Sequence, residues 1–300
     1  MWLLLALAAY ILFAASTITD KYLLARPIPD ARVYTFYTGI LGILSFGLLI
    51  FGFDIPDTPL VFLALLTGAI FIWALFLFFA ALKMGEVSRI GISLGGLTPF
   101  FTLFFVYIWT GEFPNILQIS AFALLVAGSF VIIFERLARL AHNLKRFFLV
   151  LASSGLFGLY FAAVKYLFDE HSFLSAFILV KTGGALAALL FLFSPKVRKI
   201  IFEHKKSLPK KAGSIFIAKN IAGGLGALML HFAISIARFV EVSLINALQG
   251  VQFVLVFFAA IFLTKKFPGI IKEEIRGEAL AVKLLGTGLV VAGIIILAIA

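Results

Sequence analysis

A few ionisable and amide side chains interrupt the long apolar stretches of this sequence, and these are the residues that could do chemistry. Lys181 lies near the middle of the stretch FILVKTGGALAALL. A lysine at the centre of a membrane span costs roughly 3 kcal/mol on insertion, so it is expected to face a cavity or a partner. We interpret Lys181 as a cationic contact for a carboxylate or phosphate on a substrate, because Thr182-Gly183-Gly184 leaves room for close approach. A structural lysine that is paired or snorkels is the alternative.

Two later stretches carry further candidates for a substrate site. Asn246, Gln249 and Gln252 follow an i, i+3, i+6 spacing, which keeps the three amides within an arc of roughly 120° on a helix. They could line a polar solute path or form hydrogen bonds between helices, and we favour the path. His231 could carry a proton or contact a substrate, although a lone histidine in an apolar helix is more often a hydrogen-bonded packing residue. Lys219, near one end of the same stretch, is expected to snorkel to the interface.

Catalytic and cofactor chemistry finds little support in the sequence. The 300 residues include no Cys, and no two acidic residues sit together inside an apolar stretch. No phosphate-binding loop motif occurs, which argues against ATP hydrolysis. We therefore expect no cofactor, no metal site and no enzymatic activity. The histidines are scattered, three of them in or near loops: His142, His171, His204 and His231.

The composition is that of an integral membrane protein. The chain is 63% hydrophobic and 13% charged, whereas a soluble domain is nearer half apolar and a quarter charged. Its first residues, MWLLLALAAY, lack a basic region before the apolar run, so we interpret them as a span rather than a cleaved signal peptide. A helical span needs about 20 apolar residues, and continuous runs favour helices over a barrel. Ten transmembrane helices are predicted in this all-α protein, at 2–18, 33–51, 58–82, 90–110, 116–134, 147–167, 173–193, 212–237, 243–264 and 284–300.

Lys and Arg are concentrated in the odd-numbered loops between these spans. Because cytoplasmic loops carry the excess of positive charge, we predict that these loops face the cytoplasm and that both termini face outward. The net charge of +11 then reflects charge sorted to one side of a bilayer, and no nucleic-acid partner is expected. The predicted location is the cell membrane, with a cytoplasmic connector at 135–146 and an amphipathic interfacial helix within 265–283.

The sequence contains an internal repeat, which must be found before the fold can be interpreted. The motif Glu-Val-Ser at 86–88 returns at 241–243, and each copy continues through apolar residues to a Phe-Pro pair. Lys-Tyr-Leu occurs at 21–23 and again at 165–167. The two units therefore share motifs in the same order.

Each predicted unit, 1–134 and 147–300, holds five spans. An odd number of spans inverts the second unit relative to the first, which is the architecture of secondary transporters with a substrate site between the halves. Tyr37 is the repeat equivalent of Lys181, because each lies sixteen residues after the lysine of its Lys-Tyr-Leu motif. Tyr37 and Lys165 join the candidate substrate-binding residues.

The fourth span carries a candidate gating element. Pro99 leaves a backbone carbonyl without its helical partner and favours a kink. Gly95 and Gly96 form a small-residue face nearby. A bend at Pro99 and Gly95 could serve gating, although packing alone would also explain these residues.

These motifs resemble the ten-helix EamA-like branch of the drug/metabolite transporter superfamily. The family shows a glycine, small residues and a lysine in the first helix of a unit, here GLYFAAVK at 158–165. It shows Ala-Leu before a small residue at the start of the fourth helix, here ALKMGEVS at 81–88, followed by Pro99 and Glu112. The second unit departs from the pattern, with Val254 at the position of the proline and a lysine at that of the glutamate. Familiar ten-helix members also keep their termini inside, opposite to the charge bias here.

The resemblance implies a secondary transporter or facilitator of a small polar organic solute, such as an amino acid or other metabolite, with efflux a common direction. It also implies alternating access around a cavity lined by helices 1, 3, 4, 6, 8 and 9. The alternatives are a flippase for a lipid-linked intermediate, a non-transporting scaffold and a membrane-embedded lipid enzyme. The expected partners are the solute and the bilayer, and the protein is expected to be a monomer or homodimer. The absence of an acidic residue before Asp20 in the first span weakens simple proton antiport.

Overall fold

The computed structural model describes residues 1–25, 30–84, 87–141, 144–203, 210–266 and 278–300. Within these ranges the chain is almost entirely helical and no strand occurs, as expected. Short 3₁₀ segments extend two of the helices, at Leu41–Phe51 and Leu190–Phe193, and a π-helical turn occupies Lys199–Glu203. In chain order the α-helices are α1 (Trp2–Ala25), α2 (Ala31–Ile40), α3 (Thr58–Met84), α4 (Val87–Thr110), α5 (Ile116–Ala141), α6 (Leu144–Glu170), α7 (Phe173–Leu189), α8 (Pro195–Arg198), α9 (Lys210–Ile236), α10 (Phe239–Ala247), α11 (Gln249–Lys266) and α12 (Glu278–Ile299).

The chain is a multi-pass membrane protein. Seven helical segments of the described residues are long and apolar enough to cross a bilayer. Three shorter apolar helices lie inside the predicted fourth, fifth and tenth spans, at Leu94–Thr110, Ile116–Gly128 and Leu284–Ile299. The total of ten spans stays a prediction. The seven longer segments are Trp2–Asp20, Ala31–Phe51, Thr58–Met84, Leu144–Glu170, Phe173–Phe193, Gly213–Ile236 and Phe239–Val256.

Local sequence signals fix several helix ends. Asp30 caps α2, because its carboxylate accepts the backbone N–H of Arg32 at 2.9 Å and pairs with the Arg32 side chain at 3.0 Å. Burial alone would raise the pKa of Asp30, but the hydrogen bonds and charge of Arg32 outweigh it and lower the pKa. Gly111 ends α4 at a φ of 70°, a left-handed conformation that favours glycine.

The predicted ninth span is interrupted rather than continuous. It begins at Phe239, earlier than expected, and passes from α10 to α11 at Leu248. There the N–H of Val251 donates to the carbonyl of Leu248 at 2.9 Å, a tighter turn than that of an α-helix. At the start of α10, Arg238 forms an ion pair of 3.0 Å with Glu241 of the Glu-Val-Ser motif, three residues further on. Its repeat equivalent, Glu86, lies outside the described residues.

Two other expected segments fall partly outside the described ranges. The connector predicted at 135–146 is not separate from the fifth span, because α5 continues into it as far as Ala141. Most of the amphipathic helix predicted within 265–283 lies at 267–277, which is outside the described residues.

Helices α3 and α7 pack at backbone contact. A Cβ added at Gly183 would lie 2.1 Å from the carbonyl oxygen of Leu65, and one at Gly68 would lie 1.9 Å from that of Val180. No side chain fits at either position, so only glycine permits this approach. Small residues play this role widely where helices meet in membranes.

Helices α5 and α12 make reciprocal contacts through Gly128 and Gly293, the glycines of the repeated Ala-Gly pairs 127–128 and 292–293. A Cβ at Gly128 of α5 would meet the carbonyl oxygen of Gly286 at 2.7 Å. A Cβ at Gly293 of α12 would meet the carbonyl oxygen of Ala121 at 3.1 Å. The later residue of α5, Gly128, contacts the earlier residue of α12, Gly286, and Ala121 contacts Gly293, so the two helices run antiparallel. Each glycine therefore occupies the position on its helix that its repeat equivalent occupies on the other.

Candidate functional site

A cavity of about 500 Å³ lies between the two halves of the chain. Its walls come from α1, α3, α6, α9 and α11, as the family resemblance implies, while α4 contributes only Leu94. Two further elements line it that the resemblance did not include, namely α7 and the end of α2 with its 3₁₀ extension. The second and seventh spans are therefore part of the cavity wall.

Lys181 lies in this wall. Its ammonium nitrogen is 5.0 Å from the ring centroid of Phe71 and 5.1 Å from that of Phe177, within cation–π range of both. Within the described part of the chain, no hydrogen bond or ion pair reaches this ammonium. Within these ranges Lys181 is therefore not the paired structural lysine of the alternative interpretation. The aromatic rings hold the cation beside the cavity and leave its N–H donors free for a ligand.

His231 also lines the cavity and is held by two hydrogen bonds. Its Nδ1 lies 2.6 Å from the carbonyl oxygen of Ala227, which can only accept, so Nδ1 carries the ring proton. In the neutral ring, Nε2 then accepts a hydrogen bond from the hydroxyl of Tyr160. The two hydrogen bonds fix the orientation of the imidazole. Tyr160 was not foreseen from the sequence.

Lys219 does not snorkel, and that prediction is wrong. Its side chain is 5% exposed, and Nζ lies 2.8 Å from a carboxylate oxygen of Asp20 on α1. The same carboxylate accepts a hydrogen bond from the hydroxyl of Tyr34 on α2. The Lys219 Nζ also lies 5.3 Å from the ring centroid of Tyr34. Both charged residues line the cavity. This cluster joins α1, α2 and α9, and no spacing in the sequence pointed to it.

The three amides of the ninth span separate into two groups. Gln249 and Gln252 line the cavity. Gln252 donates to the hydroxyl of Thr17 at 2.8 Å. Asn246 instead is buried against α4 and donates to the hydroxyl of Thr102 at 2.8 Å. The break at Leu248 divides the polar stripe, so Asn246 forms a hydrogen bond between helices rather than lining the cavity.

Lys165 and Tyr37 lie away from the cavity. Lys165 is buried and pairs with Asp169 at 2.6 Å, with the carbonyl oxygen of Ser235 at 3.4 Å. The ring of Tyr37 packs edge-to-face against Phe216, with centroids 6.2 Å apart. Neither residue stands among those that line the cavity, and a substrate-binding role for the two stays a prediction.

Pro99 and Gly95 are buried inside α4 and also lie outside the cavity wall. Pro99 has no N–H, so the carbonyl of Gly95 receives no hydrogen bond from that position. A gating role for the two residues stays a prediction.

Three buried polar atoms of cavity-lining residues have no hydrogen-bond partner within the described ranges. They are the hydroxyl oxygens of Thr38 and Ser45 and the Oε1 of Gln252. Buried polar atoms normally find a partner. Thr38, Ser45 and Gln252 therefore keep unused hydrogen-bonding capacity at the cavity wall. Among the residues described, no cluster of His, Asp and Glu has the composition to hold a metal ion.

Known proteins resemble this chain in sequence and in fold. Residues 1–134 match the model of the EamA-like transporter family. The fold is similar to that in a crystal structure of a protein with 17% sequence identity, with a TM-score of 0.68 over 98% of this chain and 97% of the other. At this identity the likeness concerns the fold alone. No curated protein matches the chain.

Proposed function

We propose that the chain is a secondary transporter or facilitator of a small polar organic solute, from the premise that residues 1–134 match the model of the EamA-like transporter family. Transport by alternating access requires a central site that opens to one side of the membrane at a time. The proposal covers transport only, and includes no catalysis.

The proposed architecture is ten spans in two inverted five-helix repeats. The antiparallel, reciprocal glycine contact between α5 and α12 supports it, because a two-fold axis in the membrane plane would exchange Gly128 with Gly293. The packing of neighbouring helices follows the same exchange. The contact of α1 with α9 corresponds to that of α6 with α3, and the contact of α4 with α6 corresponds to that of α11 with α1.

One helix pair departs from this symmetry and supports alternating access. Gly68 and Gly223 are repeat equivalents, because each lies eighteen residues before the glutamate of its Glu-Val-Ser motif. Gly68 is packed against the backbone of α7. A Cβ at Gly223 would meet only the Ser16 side chain, at 3.3 Å from its Oγ, and α2 is not among the principal neighbours of α9. One side of the cavity is therefore closed by backbone contact of α3 with α7. The equivalent pair, α9 and α2, has no such contact at Gly223 and meets through side chains such as Lys219 and Tyr34.

The unpaired ammonium of Lys181 in the cavity carries the substrate proposal. A carboxylate or phosphate of the solute would bind this cation, since a charge-assisted hydrogen bond is the strongest contact available there. Gln249 and Gln252 would bind polar groups of the same solute. The rings of Phe71 and Phe177 would pack against its apolar part. Amino acids and other organic acids satisfy these features.

Counterflow uptake in proteoliposomes tests the proposal, because it needs no knowledge of the driving force. The panel contains amino acids, organic acids, nucleosides and organic cations. We expect one anionic or zwitterionic class to accumulate, and Lys181→Ala to abolish its uptake without loss of folded protein. Lys196→Ala, an exposed lysine of α8, is the matched control and should transport normally. Uptake that survives Lys181→Ala would remove this residue from the site, and folded protein that moves no solute would overturn the proposal.

A further inference from the structure

The cavity opens sideways at an apolar mouth. Four large apolar residues line the cavity and are also exposed over more than half of their surface: Leu44 at 70%, Ile217 at 55%, Ile221 at 56% and Leu225 at 54%. Leu44 belongs to the 3₁₀ segment after α2, and the other three belong to α9. A residue that is both exposed and cavity-lining lies where the cavity meets the outside. We name this mouth, formed by these four residues, the lateral portal.

The portal lies at the depth of the hydrocarbon layer. Leu44 falls near the middle of the apolar segment Ala31–Phe51, and Leu225 falls near the middle of Gly213–Ile236. The 3₁₀ segment packs chiefly against α7 and α2, while α9 packs chiefly against α1, so neither flank is covered by the other. A Cβ at Gly224, which also lines the cavity, would meet no atom within 4 Å. The flanks of the portal are thus free to accept an apolar chain.

The cavity behind the portal carries polar residues that the portal lacks. Lys181, Thr38 and Ser45 line its wall, and the buried hydroxyls of Thr38 and Ser45 have no hydrogen-bond partner within the described ranges. The second cavity cation, Lys219, is already neutralised by Asp20. Among the described residues the cavity therefore offers one uncompensated positive charge, beside an exit into an apolar medium.

We propose that the site binds an amphipathic organic anion, with its carboxylate or phosphate on Lys181 and its apolar tail passing through the lateral portal into the bilayer. This inference rests on the proposed transport function and names the class of solute within it. The anion is either a soluble molecule with an alkyl or aryl tail or a single-chain lipid. Both place the same charged group on the same cation and the same apolar chain in the same opening.

A homologous series of alkyl phosphates tests this arrangement in the purified full chain held in nanodiscs. Butyl and dodecyl phosphate share a head group and differ only in tail length. Each methylene that leaves water contributes about a fourfold gain in affinity, so we expect dodecyl phosphate to bind at least roughly a hundredfold more tightly at equal free aqueous concentration. Lys181→Ala should remove the binding of both compounds.

Gly224→Trp is the portal variant, because an indole there would fill the opening. It should weaken dodecyl phosphate binding far more than butyl phosphate binding and so remove most of the gain with tail length. Gly47→Trp is its matched control, since Gly47 lies on the opposing 3₁₀ segment with nothing within 4 Å of its Cβ but does not line the cavity. Equal binding of the two phosphates beyond their partition into lipid, or equal loss of both in Gly224→Trp, would overturn the portal.

A second arm distinguishes the two sources of the anion. Lysophosphatidic acid is incorporated in the vesicle, and its movement between leaflets is compared with counterflow of butyl phosphate from water. Movement of the lipid that Gly224→Trp blocks identifies a single-chain lipid, whereas uptake from water alone identifies a soluble amphiphile. Tail-dependent binding without movement of any compound would sink the transport proposal and leave the portal standing. Transport that does not depend on tail length would overturn the portal and leave the transport proposal standing.

Discussion

The Lys219 ammonium lies 2.8 Å from a carboxylate oxygen of Asp20, inside the apolar part of the chain. This ion pair ties α9 to α1, which are extensive neighbours. It also defines the electrostatics of the cavity, because it neutralises one of the two cavity-lining lysines and leaves Lys181 as the one that a ligand can bind.

Removing one member of this pair should destabilise the protein strongly. Lys219→Ala leaves the Asp20 carboxylate buried without its cation, and we expect the free energy of unfolding to fall by about 3–5 kcal/mol. Adding Asp20→Asn to Lys219→Ala removes the uncompensated charge and should recover much of that loss. Unfolding in detergent, followed by circular dichroism, measures both. The exposed Lys196→Ala should be neutral, and a double variant as unstable as Lys219→Ala would contradict the prediction.

The contact between α3 and α7 should tolerate no added methyl group. In Gly183→Ala the new Cβ would collide with the backbone of Leu65, so the helices must separate. We expect a loss of stability at the upper end for single substitutions, above about 3 kcal/mol. Gly224→Ala is the matched control, since its Cβ would meet no atom within 4 Å and alanine is the better helix former. Similar unfolding midpoints for the two variants would refute this packing.

A cysteine pair can detect the opposite state of the proposed alternating-access cycle. Ile40 and Gly184 each lie nineteen residues after the repeated lysine of their unit, so closure of α9 on α2 should bring Ile40 to Gly223 as Gly184 now meets Gly68. The chain has no native Cys. We expect Ile40→Cys with Gly223→Cys to form an oxidised cross-link in proteoliposomes and to stop transport until reduced.

Ile40→Cys with Phe232→Cys serves as the control for this experiment. Phe232 is nine residues further along α9, about 13.5 Å at the helical rise, and a disulfide requires Cα atoms within about 7 Å. Cross-linking of the control pair at the same rate would signal unfolding rather than closure. A Gly223 pair that never cross-links during turnover would argue against this exchange of contacts.

The amides of the ninth span should give opposite phenotypes. Asn246→Leu breaks the hydrogen bond to Thr102, so it should lower stability by about 0.6–2 kcal/mol while transport per folded molecule is kept. Gln249→Leu removes a cavity-lining amide and should reduce transport with little change in stability. Counterflow rates normalised to folded protein separate the two. Equal effects of both variants on transport would restore the single polar stripe expected from the sequence.

The sequence predicted what depends on composition and local spacing. Long apolar runs predicted the helices. Lys181 was singled out because a central lysine is costly, and the structure places it beside the cavity. The pair of Lys165 with Asp169 was also within reach, since an i, i+4 spacing brings the two side chains together.

What escaped prediction depends on tertiary packing. Asp20 and Lys219 belong to different halves of the chain, and only the contact of α1 with α9 brings them together. Asn246 shares a periodic stripe with Gln249, but the turn at Leu248 rotates the two amides into different environments. Helical periodicity assumes an unbroken helix, so it could not anticipate this separation.

The reciprocal glycine contact between α5 and α12 has a consequence for biosynthesis. The ribosome completes α5 long before α12, so the groove at Gly128 faces lipid alone while the second half of the chain is inserted. A nascent chain at this stage presents a small-residue surface that any other helix of suitable shape can occupy. Insertion of α12 then covers this surface. A chain that is arrested or truncated before α12 leaves the surface open to membrane quality control.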